Sequence, residues 1–282
     1  ANYSEYPRFS PDGKRVAYAT RSTTASDIWI YDIASRTPTR LTNDGLSDRP
    51  EWTRDGKRVL YRVMNGGKKG HGASADRMAA AGDALWWKPS DGSGTGELLQ
   101  ANASGVTDGT ISPDGLTLAY RLNTLALMYR RLDGDTTSKP IADAGVGLRF
   151  SPDGKWVAYR SGPEVFVQAF PTSAGRVQLT TDAGKQPVWA PDGRHIYYVS
   201  TPERLMVATV STAPTFSVTS RQIVSEGTYS FNNNGLLHAG FDVAPDGKHL
   251  LLEKPTNAVP QIVVVHDWKY ELRARMAPAG KK

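Results

Sequence analysis

The sequence predicts an all-β chain made of repeated four-stranded sheets. Three observations lead to this prediction: a recurring strand–turn–strand segment, a repeat length close to that of one four-stranded sheet, and the lack of a long amphipathic helical pattern. The recurring segment is clearest at Phe150–Tyr159. Repeats of this kind are typical of propeller blades. We therefore predict a six-bladed β-propeller with four-stranded antiparallel blades, in which the last blade can be incomplete.

The turn inside the repeated segment has a defined chemistry. Pro152 presets the first central position of a type I turn, Asp153 can bond to its own backbone, and Gly154 takes the left-handed conformation that closes the turn. The turn aspartates of the six copies are Asp12, Asp55, Asp114, Asp153, Asp192 and Asp246. In the second copy Arg54 stands where the other copies have proline. Six copies predict six blades.

The strands of each blade follow from the turns. In the fourth unit we predict strands at 147–150, 156–160, 165–170 and 177–180. The blades should start near residues 6, 49, 108, 147, 186 and 240, within a single propeller domain at 1–268. Residues 269–282 form a tail, and the four-residue spacing of Trp268, Leu272 and Met276 favours a short helix at its start. No fourth strand is predicted after 261–266, so a strand that closes the last blade lies before Ala1 or does not exist.

A position three residues before each turn aspartate is aromatic or aliphatic. Its occupants are Phe9, Trp52, Ile111, Phe150, Trp189 and Val243. Strands with apolar residues on both faces suit blades that pack against a neighbour on each side. We therefore interpret this position as packing between blades rather than as part of a cofactor site.

Composition limits the partners that we expect. The chain has 282 residues and a net charge of +6, and half of that excess lies after residue 265. Basic pairs such as Lys68–Lys69 lack interleaved aromatic residues, so we expect no nucleic-acid partner. There is no cysteine and no apolar run long enough to span a bilayer, so we expect neither a disulfide framework nor membrane insertion. We expect a monomer. The composition does not define the cellular compartment, and a periplasmic or other extracytoplasmic location is one alternative.

The second half of the chain carries the most specific pattern. Gln186–Gly193 is followed by an apolar strand at Leu205–Val210, and the last repeat ends in Pro260–Leu272. In these segments the chain resembles the TolB-like six-bladed propellers, and most closely the propeller that follows the kinase domain in some bacterial serine/threonine protein kinases. The resemblance implies the propeller fold and a role in binding or sensing. The insertion at Met64–Asp83 and the link at Ser225–Gly240 depart from it.

The loops that lead into the first strand of each blade should converge on one mouth of the central channel. Aligned on the turn aspartates, the residues at this mouth are Glu5, Asp48, Asp108, Lys185, Gln186 and His238. Glu5, Asp48, Asp108 and His238 could together hold a hard cation such as Ca²⁺, because oxygen ligands and water complete its shell. His238 or Asp48 would then act as the base in a hydrolysis.

A ligand is the alternative occupant of this mouth. Lys185 and Gln186 would contact it, together with His71 in the glycine-rich insertion, which could close over the channel as a lid. The chain has no HExxH, GxSxG or phosphate-binding loop motif. The leading interpretation is a propeller that binds a protein or small ligand, as the sensor or scaffold part of a larger bacterial protein. The alternative is a metal-dependent hydrolase of the lactonase or phosphotriesterase type.

Overall fold

The computed structural model describes residues 3–64, 82–172, 174–200, 204–226, 238–254 and 261–265. Within these ranges the chain forms strands and no helix, so the described part contains no helix that could cross a membrane. The strands are β1 (Tyr3–Phe9), β2 (Arg15–Arg21), β3 (Ser26–Asp32), β4 (Thr37–Arg40), β5 (Ser47–Trp52), β6 (Arg58–Val63), β7 (Ala84–Pro89), β8 (Glu97–Gln100), β9 (Val106–Ile111), β10 (Thr117–Leu122), β11 (Leu127–Arg131), β12 (Lys139–Ala142), β13 (Val146–Phe150), β14 (Trp156–Ser161), β15 (Glu164–Ala169), β16 (Val177–Gln178), β17 (Lys185–Trp189), β18 (His195–Ser200), β19 (Arg204–Ser211), β20 (Ser217–Glu226), β21 (Asp242–Val243), β22 (Leu250–Lys254) and β23 (Gln261–Val265).

Strands that are consecutive in the chain pair into separate antiparallel sheets. Five sheets have four strands, β1–β4, β5–β8, β9–β12, β13–β16 and β17–β20, and β21–β23 form a sheet of three. We call the four-stranded sheets blades one to five. The prediction of six blades is therefore corrected to five four-stranded blades, because no fourth strand pairs with β23 among the described residues. The predicted tail helix lies outside those residues.

The sheets pack face to face in chain order. The first strands of neighbouring blades contact each other from β1 through β17, and β21 to β23 contact β1 in turn. The predicted packing between blades is seen at Trp189, which lies in one cluster with Ala158 and Val165 of the preceding blade. Phe241 is fully buried between blade five and the three-stranded sheet. This arrangement lines a central channel with the first strand of each sheet.

The predicted turns join the first two strands of each sheet. Gly154 has a φ of 71° and its N–H donates to the carbonyl of Ser151 at 2.9 Å. Asp153 accepts from the N–H of Lys155 at 3.1 Å and from the Ser151 hydroxyl at 2.6 Å. The positive φ predicted for this glycine, and for Gly193 and Gly247, is confirmed. We call the channel end that carries these turns the turn end, and the end where the first strands begin the mouth end.

Four first strands contain a bulge near the mouth end. The residue six positions before the turn aspartate has a positive φ in Tyr6, Arg49, Gly147 and Gln186, with φ between 55° and 65°. The register of the strand shifts across each of these positions. A bulge redirects side chains locally, and a left-handed conformation is strained for a residue other than glycine. Backbone strain of this kind clusters at functional sites, so Tyr6, Arg49 and Gln186 indicate a candidate site at this level of the channel.

Candidate functional site

The centre of the channel is lined by the residues four positions before each turn aspartate. They are Arg8, Glu51, Thr110, Arg149, Val188 and Asp242. These side chains border a cavity of about 420 Å³ that extends to the turn end, where the turn prolines line it. Four of the six residues are ionisable, namely Arg8, Glu51, Arg149 and Asp242. The channel centre is therefore a charged site.

Glu51 connects three parts of the propeller. Its Oε1 accepts from Arg8 Nε at 2.8 Å and from Arg149 Nη2 at 2.6 Å, and it lies 3.0 Å from His238 Nε2. Arg8 also donates through Nη1 to the carbonyls of Ala239 at 3.0 Å and Phe241 at 3.1 Å. Burial alone would raise the pKa of Glu51, but Arg149 and Arg8 outweigh it and hold that pKa well below its usual range. Glu51 is thus a fixed negative charge.

His238 lies at the same axial point and is almost fully buried. Its Nδ1 lies 3.0 Å from Asp108 Oδ1, and its Nε2 lies 3.1 Å from Arg149 Nη2. Burial lowers the pKa of His238, and the cationic Arg8 and Arg149 lower it further against the opposing effect of Asp108. Nδ1 thus faces Asp108, and Nε2 faces both Arg149 Nη2 and, at 3.0 Å, Glu51 Oε1. Both ring nitrogens are engaged, so the ring has no lone pair free to act as a base.

Glu5 and Asp48 lie together at the mouth end rather than beside His238. Asp48 accepts from Arg62 at both oxygens, at 2.7 and 2.5 Å, and Arg62 also donates to Asp83 at 3.0 Å. Arg21 lies 3.3 Å from Glu5 and 4.0 Å from Asp48. The structure thus brings the four predicted metal ligands together as two pairs, Glu5 with Asp48 and Asp108 with His238.

The predicted donor set does not fit a cation in this geometry. Asp48 is already paired with a bidentate guanidinium and Glu5 with Arg21, and Asp108 is engaged in a hydrogen bond with His238. Among the described residues no group of three or more His, Asp or Glu side chains is arranged to hold a metal ion. Ca²⁺ binding by these residues stays a prediction.

The other predicted ligand contacts have different outcomes. Lys185 and Gln186 begin β17 at the mouth end, where Lys185 is half-buried and Gln186 is buried. His71 and most of the glycine-rich insertion lie outside the described residues. The proposed roles of these three residues in binding stay predictions.

The mouth end also contains buried polar atoms that have no hydrogen-bond partner. Six such side-chain atoms lie at this end of the described part of the chain. They are Arg49 Nε, Thr107 Oγ1, Arg121 Nε, Arg160 Nε and both amide atoms of Gln186. Most buried polar atoms in proteins are satisfied, so a cluster of unsatisfied ones calls for an explanation.

Three arginines occupy one repeat position, seven residues after the turn aspartate, and only the first is paired with a carboxylate. Arg62 lies opposite Asp48 in the strand register and forms an ion pair with it. Arg121 lies opposite Asp108, but that carboxylate bonds to His238 instead. Arg160 lies opposite the apolar Val146. Arg121 and Arg160 therefore lack the negative partner that their position has on blade two.

Arg121 is the most constrained of these arginines. It is buried, and its hydrogen bond to the carbonyl of Leu122 is long, at 3.4 Å. Burial lowers the pKa of Arg121, Asp108 opposes this, and Arg49 and Arg62 lower it again. A guanidinium that stays protonated here is a buried cation near Arg49 and Arg62 as well as Asp108 and Asp83. Since no carboxylate of the described residues is hydrogen-bonded to it, an anionic ligand would pair with it.

Sequence reasoning missed Glu51, Arg149 and Arg121. The position four residues before the turn aspartate carried a signal, because it is charged in four of the six repeats. The arginines after the turn carried another, since they recur at one repeat position on blades two, three and four.

Comparison with known proteins supports the fold. No family model and no curated protein matches the chain. Solved structures do: TolB from Acinetobacter baumannii has a TM-score of 0.60 at 19% identity over 80% of this chain, which spans 55% of that protein. The putative TolB from Agrobacterium tumefaciens has 0.60 at 16% identity, covering 86% of this chain and 87% of its own.

An oligogalacturonate lyase from Vibrio parahaemolyticus is similar to the same degree. Its TM-score is 0.60 at 12% identity, with 94% of this chain and 91% of that chain covered. At these identities the comparisons show the fold alone. The chain has a TolB-like β-propeller fold, and its function has to be argued from the site.

Proposed function

We propose that this chain is a ligand- or protein-binding β-propeller, a sensor or scaffold module that receives an acidic group of its partner at the mouth end of the channel. The observation that carries this proposal is the cluster of unsatisfied buried polar atoms around Arg49, Thr107 and Arg121. An unsatisfied buried donor costs about 1 to 3 kcal/mol, and more when it is charged. A bound carboxylate would satisfy such donors, as Asp48 does for Arg62.

The backbone supports the same location. Arg49 and Gln186 both hold a positive φ, at 55° and 58°. Conformations of this kind persist when the surrounding structure imposes them, and they cluster at ligand sites. Arg49 also donates from Nη1 to the carbonyl of Thr107, which fixes its guanidinium beside blade three. Lys185, Gln186 and His71 are proposed as further contacts of the ligand.

No observation on the described residues favours the metal-dependent hydrolase alternative. His238 has both ring nitrogens engaged, and Asp48 is held by Arg62. One structural neighbour is an oligogalacturonate lyase in complex with manganese, and that metal is a property of the neighbour. A binding role needs no free base, so it agrees better with a network of closed ion pairs.

Two finer points belong to this proposal. We propose that the three-stranded sheet β21–β23 is a last, incomplete blade, because no strand of the described residues pairs with the outer side of β23. We also propose that the module belongs to a larger bacterial protein, as the kinase-linked propellers do, on the basis of the sequence resemblance at Gln186–Gly193 and Pro260–Leu272.

Calorimetry on chelator-treated protein tests the proposal. The probes are hexaglutamate, neutral hexaglutamine of the same length, and CaCl₂. Hexaglutamate should bind to the wild type and hexaglutamine should not. Arg121→Gln should weaken hexaglutamate binding by roughly tenfold or more, since a charged hydrogen bond contributes about 1.5 to 3 kcal/mol. Arg131→Gln, which removes an exposed arginine paired with Asp133, is the control and should bind normally.

The same protein is assayed for hydrolysis of a lactone and of a phosphotriester, with and without Ca²⁺. No turnover above background is expected. Turnover that requires Ca²⁺ and disappears in Asp108→Asn would overturn the proposal in favour of the hydrolase. Equal binding of hexaglutamate and hexaglutamine would show that acidic recognition is absent from the mouth end.

A further inference from the structure

The turn end of the channel holds a second candidate site, formed by the 420 Å³ cavity. Its walls are apolar and aromatic, from Phe9, Trp52, Phe150 and Trp189. Its inner end is the charged set described above. Its rim consists of the turn residues Pro11, Pro113, Pro152, Pro191 and Pro245, with Arg54 at the sixth position. Sites for small molecules commonly have about 300 to 1,000 Å³ and a few polar groups in an apolar lining.

Arg54 has no evident role in the turn that carries it. Proline fixes the backbone φ at the same turn position in five repeats, whereas Arg54 leaves that φ unrestricted. Gly56 still closes this turn, with a φ of 67° and an N–H that donates to the Thr53 carbonyl at 2.9 Å. The Arg54 side chain is exposed and makes no hydrogen bond or ion pair within the described residues. It is a cation available at the rim of a cavity.

The cavity lining also has more donors than acceptors. Arg8 Nη2 has no acceptor in the described part of the protein, although the rest of its guanidinium is bonded. Trp189 Nε1 likewise has none, whereas the equivalent Trp52 Nε1 donates to the Arg8 carbonyl at 3.1 Å. Glu51 is already shared between Arg8 and Arg149. A ligand that brings acceptors would complement this lining.

Asp242 does not remove this surplus. One of its oxygens accepts from the Phe9 N–H at 2.8 Å. Burial raises the pKa of Asp242 to about 6, although Arg8 and backbone donors oppose the shift. At pH 7 the carboxyl is still mostly ionised, so Asp242 and Glu51 together offset two of the three arginine charges that line the cavity, those of Arg8, Arg54 and Arg149.

We infer that the turn-end cavity binds a small organic acid, whose carboxylate is held at the rim by Arg54 while its apolar body contacts the aromatic walls. The cavity is too small for a folded partner. The site is at the opposite end of the channel from the proposed partner surface and shares none of the residues that carry that proposal. The inference therefore goes beyond the proposed function, and the two can fail separately. A small molecule bound in the turn-end cavity would be a second ligand of the module.

Matched ligands and variants test the inference by calorimetry on the full chain. The probes are benzoate, the isosteric neutral benzamide, and inorganic phosphate. Benzoate should bind with one site per chain, and benzamide should bind at least tenfold more weakly. Arg54→Pro restores the residue of the other repeats, and Arg54→Gln keeps a polar side chain without the charge. Both should weaken benzoate binding by roughly threefold to tenfold, the range for an exposed to partly desolvated charged contact.

Two further variants separate a local site from a general charge effect. Arg194→Gln removes an exposed arginine that follows another turn and does not line the cavity, so benzoate affinity should not change. Pro191→Arg adds a second rim cation and should tighten benzoate binding. Equal weakening by Arg194→Gln and Arg54→Gln would overturn the inference. So would equal affinity for benzoate and benzamide, or unaltered benzoate affinity in Arg54→Pro with its fold intact by circular dichroism. Phosphate binding as tight as that of benzoate would reject the preference for an organic acid.

Discussion

Glu51→Gln tests the charge network at the channel centre. The carboxylate is 13% exposed and accepts from Arg8 at 2.8 Å and Arg149 at 2.6 Å, whose side chains are 4% and 10% exposed. Glutamine keeps one oxygen but removes the charge, and it leaves two buried guanidinium groups without a counter-ion. Breaking a buried ion pair on one side costs about 3 to 5 kcal/mol. Because the amide oxygen can still accept from Arg149, we expect a loss near about 3 kcal/mol.

Equilibrium unfolding in urea, followed by tryptophan fluorescence, measures this loss. The midpoint should fall while the slope of the free energy against urea stays constant, because the same surface is exposed on unfolding. Glu226→Gln is the control. Glu226 and Arg204 are 55% and 39% exposed and pair at 2.7 Å, so their loss should cost less than about 1 kcal/mol. A Glu51→Gln protein as stable as the Glu226→Gln protein would refute the interpretation of Glu51 as the centre of the network.

Two other predictions concern a turn and a titration. Gly154→Val should lower the free energy of unfolding by about 1 to 3 kcal/mol through backbone strain at a φ of 71°, and an unchanged urea midpoint would contradict the turn assignment. Because the folded pKa of Asp242 is raised to about 6 from 3.8, the folded state binds this proton more tightly, and stability should rise as the pH falls from 7 towards 4. Relative to Asp242→Asn, the wild type should gain at most about 3 kcal/mol over that interval in urea titrations, and parallel profiles would argue against a raised pKa.

The repeat made the architecture predictable. Each turn has a proline, or arginine in the second copy, followed by an aspartate and a glycine. Phe150–Tyr159 and its copies therefore locate the first two strands of every sheet. In the fourth unit the predicted strands agree with β13 to β16 within a few residues. The number of complete blades was harder, because the strand that would pair with β23 has no turn signature of its own.

The site was less predictable because its contacts join residues distant in the sequence. Loop alignment placed Glu5, Asp48, Asp108 and His238 at one mouth, but side-chain direction depends on where the register of the first strand shifts, and on blade three the shift lies between Val106 and Asp108 instead. On blade two, the bulge at Arg49 places Asp48 opposite Arg62. On blade three, Asp108 itself occupies the position of Arg49, its φ is not positive, and its side chain bonds to His238. A bulge at Arg49 or Gln186 has no marker as clear as glycine.

The free energy of unfolding of Arg121→Met, measured without ligand, tests the central claim most directly. If Arg121 is a buried cation kept for an acidic partner, an apolar side chain of similar length should stabilise the protein by about 1 to 3 kcal/mol while hexaglutamate binding is lost. An Arg121 that served only to stabilise the fold would give the opposite result. A loss of stability of 1 kcal/mol or more in Arg121→Met would contradict the assignment of the mouth end as a binding site.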